Sequence, residues 1–354
     1  MTALFSSGGK IVDASFQRTI YPQCGTPRNE VVAGPAYGVD VSIIQLPNGL
    51  DMALTSDPLS LIPTLGLQES AWLSVHLMAN DMATTGVAPM YAQLVLNLPE
   101  HTTMQQFETY WQHIHQYCAG IGVAITGGHT GLAVGQHSTL AGGGTMVAIA
   151  PAGTMLLSSY AQPGDTIVLT QEAAMLSTAI LAMSFPNIVQ DQCGQENYLH
   201  ACDMFYKTSS LEAGLAAAAF NTCDRGVSAM HDVTEGGVLG AIYEMAQAAG
   251  LGATVDADRI PVGVAQQTIA RLFDLDPLYI VGAGAMIMSV APDEAENLIH
   301  SLSGKGIRAT AIGSFTSSKS VNLTRHGSGP ELWKYPGADP YWAAYCNALN
   351  NGWT

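Results

Sequence analysis

One stretch, residues 228–250, constrains the fold more than any other, because it predicts a strand, a glycine turn and a helix in direct succession. It reads SAMHDVTEGGVLGAIYEMAQAAG. Apolar side chains recur at helical spacing from Val238 to Ala249, and Gly250 is typical of the residue that follows a helix. A unit of this kind predicts layers of helices packed on a sheet.

The turn in this stretch carries polar and flexible residues, namely Asp232, Thr234, Gly236 and Gly237. Glycines allow backbone N–H groups to approach a ligand closely, and the positive end of a helix dipole favours an anion. The turn is therefore a candidate phosphate site. A simpler interpretation, in which Asp232 or Thr234 only caps the helix, remains open.

The distribution of charge limits the partners of the chain. It has 28 acidic and 12 basic residues and a net charge of -16, which argues against nucleic acid or an anionic membrane as a partner. Neither Lys nor Arg occurs between Arg28 and Lys207. If this half binds a nucleotide, a divalent metal held by carboxylates must neutralise the phosphates.

Signals for secretion or membrane insertion are missing from the sequence. No apolar run is long enough to span a bilayer, and the N-terminus lacks the charged and apolar regions of a signal peptide. The six cysteines are scattered without a CxxC pair, which indicates reduced thiols in a cytoplasmic protein.

Two aspartates are predicted to meet at the open end of a hairpin. Strands over residues 41–46 and 50–55, joined at Pro47-Asn48-Gly49, place Asp40 and Asp57 side by side. Adjacent carboxylates repel each other unless a cation lies between them, so we favour a metal site over two ordinary turn aspartates.

Two further segments carry candidate ligands. A helix over residues 70–86 contains Asn80 and Asp81 near its C-terminal end, where the dipole disfavours a carboxylate, so Asp81 needs a capping role or a cation. A buried strand over residues 123–126 is predicted to run into a second glycine turn. That turn contains Gly127, Gly128, His129 and Thr130.

The predicted elements divide the chain into two halves long enough to be domains. Lys10, on a glycine loop near the N-terminus, either folds over a phosphate or belongs to a disordered end. The segments are an N-terminal loop and helix (1–30), an α+β domain (31–150), a C-terminal α/β domain (160–320) and an irregular tail (321–354).

The order and spacing of four motifs resemble the AIR synthase superfamily. The motifs are GPAYGVDVSII, TSDP, ANDMATTGVAP with ITGGHTG, and HDVTEGGVLGAIYEMA. This superfamily includes aminoimidazole ribonucleotide (AIR) synthase, HypE, selenophosphate synthetase and thiamine-monophosphate kinase. The GGHT, D-x-T-x-G-G and LDPLYIVGAGAMIMSV segments resemble the HypE-like branch. The resemblance implies a two-domain PurM-like fold, with N-terminal sheets that pair into a barrel in a homodimer and ATP in a cleft between subunits.

The resemblance also implies roles for individual residues. Asp40, Asp57 and Asp81 would hold Mg²⁺ on the ATP phosphates. The nucleotide would be contacted by Asn80, Gly127, Gly128, His129, Thr130, Gly236 and Gly237. The catalytic set would be Asp232, Thr234, His231 and Lys10, and His129 or His231 would move a proton.

The implied activity is ATP-dependent phosphorylation that activates an amide-type oxygen, of a carbamoyl or thiocarboxamide group, for dehydration. HypE carries a C-terminal cysteine, whereas here Cys346 is followed by eight residues that end in Trp353-Thr354, so a HypE reaction on the chain's own tail is not expected. A partner protein that delivers the substrate is possible.

Two alternatives stay open at this point. One is a small-molecule phosphotransferase similar to thiamine-monophosphate kinase, although the doubled Asp of that branch is Val39-Asp40 here. The other is a non-catalytic nucleotide-binding partner. Retained carboxylates argue against the latter, since buried carboxylates are costly without a cation.

Overall fold

The computed structural model describes residues 13–134, 141–221 and 226–354. Lys10 and its glycine loop, which the sequence placed near a phosphate, lie outside the described residues, as does Cys223. The described chain opens with a short helical segment, α1 (Asp13–Ser15), which continues as a π-helical turn over Phe16–Ile20.

Six strands form the sheet of the N-terminal domain, in the order β1-β2-β3-β6-β4-β5. Neighbouring strands are antiparallel except for β4 and β5, which are parallel. The strands are β1 (Val31–Ala33), β2 (Ser42–Leu46), β3 (Leu50–Pro58), β4 (Tyr91–Pro99), β5 (Ala124–Ala133) and β6 (Ala141–Pro151).

The predicted hairpin forms between β2 and β3. Asn48 and Gly49 adopt φ angles of 70° and 74°, the left-handed conformation that tight hairpin turns require. β3 continues to Pro58, beyond its predicted end, so Asp57 lies within the strand opposite Gly144 of β6.

Two helices, α2 (Leu67–Ala83) and α3 (Met104–Gly120), belong to this domain and pack against each other. α2 approaches the sheet closely because β6 has no side chain at Gly144, where a Cβ would lie 2.4 Å from the Met78 sulfur. Thr103 and Gln106 form a capping box that fixes the start of α3.

The predicted second glycine turn is wrong. Gly127, Gly128, His129 and Thr130 lie within β5, the edge strand, which pairs in parallel with β4. Glycine runs are usually turn signals. Here the absence of a side chain permits close strand contact, because a Cβ on Gly128 would lie 1.8 Å from the carbonyl oxygen of Leu94.

Seven strands form the sheet of the C-terminal domain, in the order β13-β12-β9-β11-β7-β10-β8. The strands are β7 (Thr166–Thr170), β8 (Val227–Asp232), β9 (Gly252–Asp256), β10 (Met286–Val290), β11 (Ala309–Thr316), β12 (Val321–Thr324) and β13 (Glu331–Trp333). The helices are α4 (Met175–Ser184), α5 (Pro186–Cys193), α6 (Gln195–Met204), α7 (Leu211–Phe220), α8 (Gly237–Ala249), α9 (Val264–Leu272), α10 (Ala295–Ser303) and α11 (Tyr341–Asn350).

The prediction of an irregular tail over residues 321–354 is also wrong. β12 pairs in parallel with β9, and β13 pairs with β12. α11 packs onto the domain through Tyr341, which is buried, and the Trp353 ring lies 5.2 Å from that of Phe273. The glycine, serine and proline residues that suggested an irregular tail are concentrated in the connections between these elements.

Within the described ranges, no helix combines the length and apolar character that a membrane span requires. The five cysteines of those ranges are free thiols.

Three side chains, one helical turn apart on α2, join the domains. The Trp72 indole donates to the Thr208 hydroxyl (3.2 Å), and His76 Nδ1 lies 3.0 Å from the Ser209 hydroxyl. Asn80 donates to the Thr208 carbonyl (3.0 Å) and accepts the Ser210 N–H (2.7 Å). Because i, i+4 and i+8 positions share one helix face, α2 presents a continuous docking edge to residues 208–210.

His76 makes this junction sensitive to pH. The ring is buried and stacks on Trp72 at 3.6 Å, and burial lowers the pKa of His76 from 6.5 to about 4. The unfolded chain therefore takes up a proton on His76 more readily than the folded protein does. The contribution of neutral His76 to the free energy of unfolding is complete above pH 6.5 and is lost as the pH falls towards 4. The loss is on the order of 3 kcal/mol.

We therefore expect His76→Gln to remove this part of the pH dependence. Urea unfolding at pH 7 and pH 5 would measure it, with His115→Gln, an exposed histidine of α3, as the control. If the free energy of unfolding fell equally between pH 7 and pH 5 in the native protein and in His76→Gln, His76 would not be the source of the pH dependence.

Candidate functional site

Four aspartates from both domains converge at the domain junction. Asp40 precedes β2, Asp57 lies in β3, and Asp81 lies in the last turn of α2. Asp232 is the last residue of β8 and comes from the other domain. All three of the other carboxylates act electrostatically on Asp81.

The cluster is electrostatically strained in the absence of a cation. Burial raises the pKa of Asp81 well above its ordinary value, and repulsion by the other three carboxylates raises it further. A hydrogen bond from the Thr55 hydroxyl (2.8 Å) favours the charged form and offsets only part of this effect. Asp40 and Asp57, which the sequence predicted to lie side by side, both act electrostatically on Asp81, and so does Asp232 from the second half.

A buried histidine adjoins this cluster. His231 Nδ1 lies 2.8 Å from a carboxylate oxygen of Asp40 and 3.1 Å from the Ser158 hydroxyl. His231 Nε2 lies 3.2 Å from a carboxylate oxygen of Glu244 on α8. Burial alone would lower the pKa of His231, but the Asp40 and Glu244 carboxylates raise it to about 10.

His231 is therefore a buried cation at neutral pH. One ligand atom from each of Asp40, His231 and Asp232 lies within 4.8 Å of the others, a spacing compatible with a metal site. A protonated imidazole has no lone pair to offer a metal, so this geometry favours charge compensation by His231. In this state His231 can donate a proton but cannot accept one.

Glu244 was missed by the sequence analysis. α8 is buried on almost every side, and Glu244 lies away from its predicted apolar face, towards the N-terminal domain. The turn before Asp40 packs against this point. Gly38 has φ 74°, and a Cβ there would lie 2.3 Å from the Glu244 carbonyl oxygen. A charged residue inside an otherwise apolar helix was the available signal.

The glycine turn before α8 does not present free donors to a ligand. The Gly236 N–H donates to Asp339 (2.7 Å), and the Gly237 N–H donates to the Thr234 carbonyl (3.1 Å). A Cβ on Gly237 would lie 2.7 Å from the Ile280 carbonyl oxygen. The expectation that Gly236 and Gly237 bind phosphate is corrected accordingly, because the turn is closed by the chain itself.

The simpler capping interpretation is wrong as well. The residue at the N-terminal cap of α8 is Gly236, with φ 81°, so neither Asp232 nor Thr234 caps the helix. The Thr234 carbonyl instead accepts the N–H groups of Gly237 and Gly282, which binds the turn to the loop before β10.

Asn80 is not positioned as a nucleotide ligand. Its amide donates to Thr208 and accepts from Ser210, and the residue is fully buried. Both ends of the amide are used to join the domains. The proximity of Asn80 to Asp81 in sequence misled the assignment, because consecutive helical residues point in different directions.

The glycines of β5 lie in the same sheet as the cluster but apart from it. Asp57 pairs with Gly144, Gly144 with Leu94, and Leu94 with Gly128. Three strand spacings separate Asp57 from Gly128, a distance of about 14 Å. Asp57 and Gly128 cannot bind the same metal ion, although one nucleotide could contact both the acidic cluster and the glycines of β5.

Two proteins are similar to the chain in sequence. A hydrogenase expression/formation protein of Methanocaldococcus jannaschii is 26% identical over 234 residues, which cover 65% of this chain and 64% of that protein. The carbamoyl dehydratase HypE of Rhizobium leguminosarum bv. viciae is 25% identical over 280 residues, which cover 77% of this chain and 75% of that protein. The match to the archaeal protein thus spans slightly less than two thirds of its length.

Solved structures share the fold. HypE in complex with ATP has a TM-score of 0.68 at 19% identity, covering 95% of this chain and 97% of that one. HypE from a HypE–HypF complex has a TM-score of 0.70 at 17% identity, covering 91% and 100%. The thiamine-monophosphate kinase AaThiL, with AMPPCP and TMP, has a TM-score of 0.65 at 13% identity, covering 85% and 93%. These likenesses show the two-domain PurM-like fold.

Two domain families match most of the chain. The N-terminal domain of AIR synthase related proteins matches residues 38–150, and the C-terminal domain matches residues 162–326. The first match begins at the Gly38 turn and includes three of the four converging aspartates. Because these two domain families together match most of the chain, it belongs to the AIR synthase related family, and by its similarity to HypE sequences it is HypE-like.

Proposed function

We propose that the chain is a Mg²⁺- and ATP-dependent enzyme that activates an amide-type oxygen by phosphorylation, as the name carbamoyl dehydratase implies for HypE. The observation that carries the proposal is the convergence of Asp40, Asp57, Asp81 and Asp232. Three of these aspartates, Asp40, Asp57 and Asp81, lie in the stretch between Arg28 and Lys207, which has no Lys or Arg. ATP binding is supported by the likeness to HypE solved with ATP.

The side-chain type suits magnesium, although among the described residues the group whose ligand atoms all lie within 4.8 Å of one another is Asp40, His231 and Asp232. All four side chains offer carboxylate oxygens, the ligands that Mg²⁺ prefers, and Mg²⁺ usually binds through one or two carboxylates together with substrate phosphates. Asp40, Asp57 and Asp81 would hold the ion, which would neutralise phosphate charge during transfer. The raised pKa of Asp81 supports this assignment, since a cation would relieve the repulsion.

Residues of the chain would supply positioning and charge. His231 and Glu244 fix the Asp40 carboxylate, and Asp232 brings the C-terminal domain to the cluster. Phosphoryl transfer needs mainly alignment and electrostatic stabilisation, which such a preorganised set provides. Thr234 and the β5 residues Gly127, Gly128, His129 and Thr130 remain proposed contacts of the acceptor and the nucleotide.

The reaction balances as a dehydration coupled to ATP cleavage. The acceptor oxygen attacks the terminal phosphorus of ATP, and ADP leaves. The acceptor C–O bond then breaks, so its oxygen departs in phosphate, and both N–H protons of the amide are lost as a nitrile forms. A water-excluding site is required, because hydrolysis would otherwise intercept the activated acceptor.

We propose that two copies of the chain pair through the outer face of the six-stranded sheet. Apolar side chains on the outer face of the six-stranded sheet are exposed, with Tyr91 and Val95 at 41% and 39%. Pairing with a second copy into a barrel would bury them.

HypE is known in complex with HypF, and we propose that a partner protein likewise delivers the acceptor here. The cytoplasm is the proposed location, since its reducing conditions suit the free thiols.

A small-molecule phosphotransferase is the second candidate. The likeness to thiamine-monophosphate kinase supports it. Phosphate would then remain on the acceptor instead of leaving with its oxygen. A non-catalytic nucleotide-binding role is disfavoured by the cost of keeping four repelling carboxylates together.

Asp81→Asn tests the metal assignment. Removing this carboxylate relieves repulsion, so we expect the variant without metal to be more stable than the native protein without metal. Excess MgCl₂ should raise the melting temperature of the native protein and should have little effect on the variant, because ligand binding stabilises only the state that binds. Circular dichroism melting curves with and without MgCl₂ measure both effects.

The control for this substitution is Asp191→Asn, which removes an exposed carboxylate on α5. It should keep the full response to MgCl₂ and show native Mg²⁺-dependent ATP turnover, whereas Asp81→Asn should lose turnover. A destabilised Asp81→Asn variant that still responds to MgCl₂ would remove the basis for the metal site.

Oxygen-18 in the acceptor tests the reaction class. S-carbamoyl-cysteine labelled at the carbamoyl oxygen is incubated with the protein, ATP and MgCl₂, and the phosphate is analysed by mass spectrometry. Amide activation predicts that the inorganic phosphate released carries the acceptor oxygen. Unlabelled phosphate would indicate simple ATP hydrolysis, and a phosphorylated acceptor would favour the phosphotransferase.

A further inference from the structure

One of the two carboxylate oxygens of Asp81 is bound by a neighbouring strand. The Thr55 hydroxyl of β3 donates a hydrogen bond to Asp81 Oδ2 at 2.8 Å, and the Thr55 side chain is buried. No other hydrogen bond reaches this carboxylate from residues 13–134, 141–221 or 226–354. The second oxygen, Oδ1, is therefore the one that Asp81 can offer to a cation while it keeps its contact with Thr55.

The geometry of β3 fixes the position of the Thr55 hydroxyl. Burial alternates along this strand, and Ala53 and Thr55 belong to its buried side. Asp57 follows two residues after Thr55 and so faces the same side. Thr55 also pairs with Met146 of β6. A rigid, paired strand thus places the hydroxyl between two members of the acidic cluster, Asp57 and Asp81.

A second carboxylate of the cluster is bound in a similar way. Asp40 Oδ2 lies 2.8 Å from His231 Nδ1. Asp40 and Asp81 therefore each have one oxygen engaged by a side chain of the protein itself. Each can give one oxygen to a cation without the loss of that contact.

The number of oxygens that a carboxylate offers affects the choice between Mg²⁺ and Ca²⁺. Mg²⁺ is small and demands about six ligands in near-ideal octahedral geometry, whereas Ca²⁺ takes roughly six to eight oxygens and accepts both oxygens of one carboxylate. A carboxylate that is bound at one oxygen coordinates through the other alone. This arrangement suits Mg²⁺ and withholds a ligand that Ca²⁺ would use.

We propose that Thr55 is a positioning residue that determines ion specificity, because its hydroxyl restricts Asp81 to one metal-binding oxygen and so favours Mg²⁺ over Ca²⁺. The inference rests on the proposed function, since it takes Asp81 as a metal ligand. It refines that function by naming a residue that selects the ion without contacting it.

Thr55→Val tests the proposal. Valine is β-branched like threonine and is common in strands, so β3 should form as in the native protein. It cannot donate to Asp81, whose second oxygen becomes available to a larger ion. We expect the dissociation constant for Ca²⁺, divided by that for Mg²⁺, to fall about tenfold, which corresponds to the loss of one hydrogen bond to a charged group.

Both dissociation constants are measured from the rise in melting temperature with increasing MgCl₂ or CaCl₂, without nucleotide. The two ions carry the same charge, so at equal ionic strength they screen surface charges alike. A variant that is only less stable melts at a lower temperature with either ion. The ratio of the two constants would therefore not change if Thr55 had a purely structural role.

Two variants serve as controls. Thr55→Ser keeps a hydroxyl that can donate to Asp81, so it should retain the native ratio. Ser56→Ala removes the next hydroxyl of β3, which is exposed on the other side of the sheet and lies 2.8 Å from Thr145 Oγ1. This variant should also retain the native ratio.

A preference for Mg²⁺ in the native protein and in Thr55→Ser, reduced in Thr55→Val, supports the proposal. An unchanged ratio in Thr55→Val would overturn it, and so would equal affinity of the native protein for the two ions. If Thr55→Val does not fold, Thr55→Ala, which also lacks the donor, takes its place. A native protein that responds to neither ion would overturn the proposed metal site together with this inference, whereas an unchanged ratio would contradict the role of Thr55 alone.

Discussion

The ion pair of His231 with Asp40 and Glu244 is the interaction on which the site depends. It places a cation inside the protein between two carboxylates that belong to different domains, at 2.8 and 3.2 Å. Buried charges are tolerated only when they are paired and hydrogen-bonded, and removing one partner of such a group is strongly destabilising. The geometry of the acidic cluster and the relative position of the two domains are thereby fixed by the same few atoms.

This interaction also explains how a strongly acidic half of the chain can assemble its site. The N-terminal domain supplies three aspartates and, between Arg28 and Lys207, no Lys or Arg to balance them. The C-terminal domain supplies both a fourth aspartate and the compensating histidine, on consecutive residues of β8. Successive residues of a strand face opposite sides. His231 can therefore lie against Glu244 on α8 while Asp232 reaches the cluster from the strand end.

Local signals in the sequence predicted those parts of the structure that depend on short-range physics. The turn at Asn48-Gly49, the periodicity of α8 and the end of that helix at Gly250 all follow from backbone preferences of nearby residues. Glycine runs were less reliable as signals of turns, because a residue without a side chain is equally suited to a turn, to a close contact between strands and to a close contact at a helix. Only the fold distinguishes these uses, as Gly128 and Gly237 show. Glu244, Asn80 and Asp339 could not be assigned locally, since their partners lie 13, 128 and 103 residues away.

The long separation of Asp339 from Gly236 has a consequence for synthesis of the protein. The two residues are 103 positions apart, and a ribosome adds about 5–20 residues per second. Translation therefore leaves the start of α8 without its buried carboxylate for roughly 5–20 s after the helix itself has been made. During this interval the Gly236 N–H lacks the partner that it has in the folded protein, and the turn is completed only when residues 333–341 have emerged and docked.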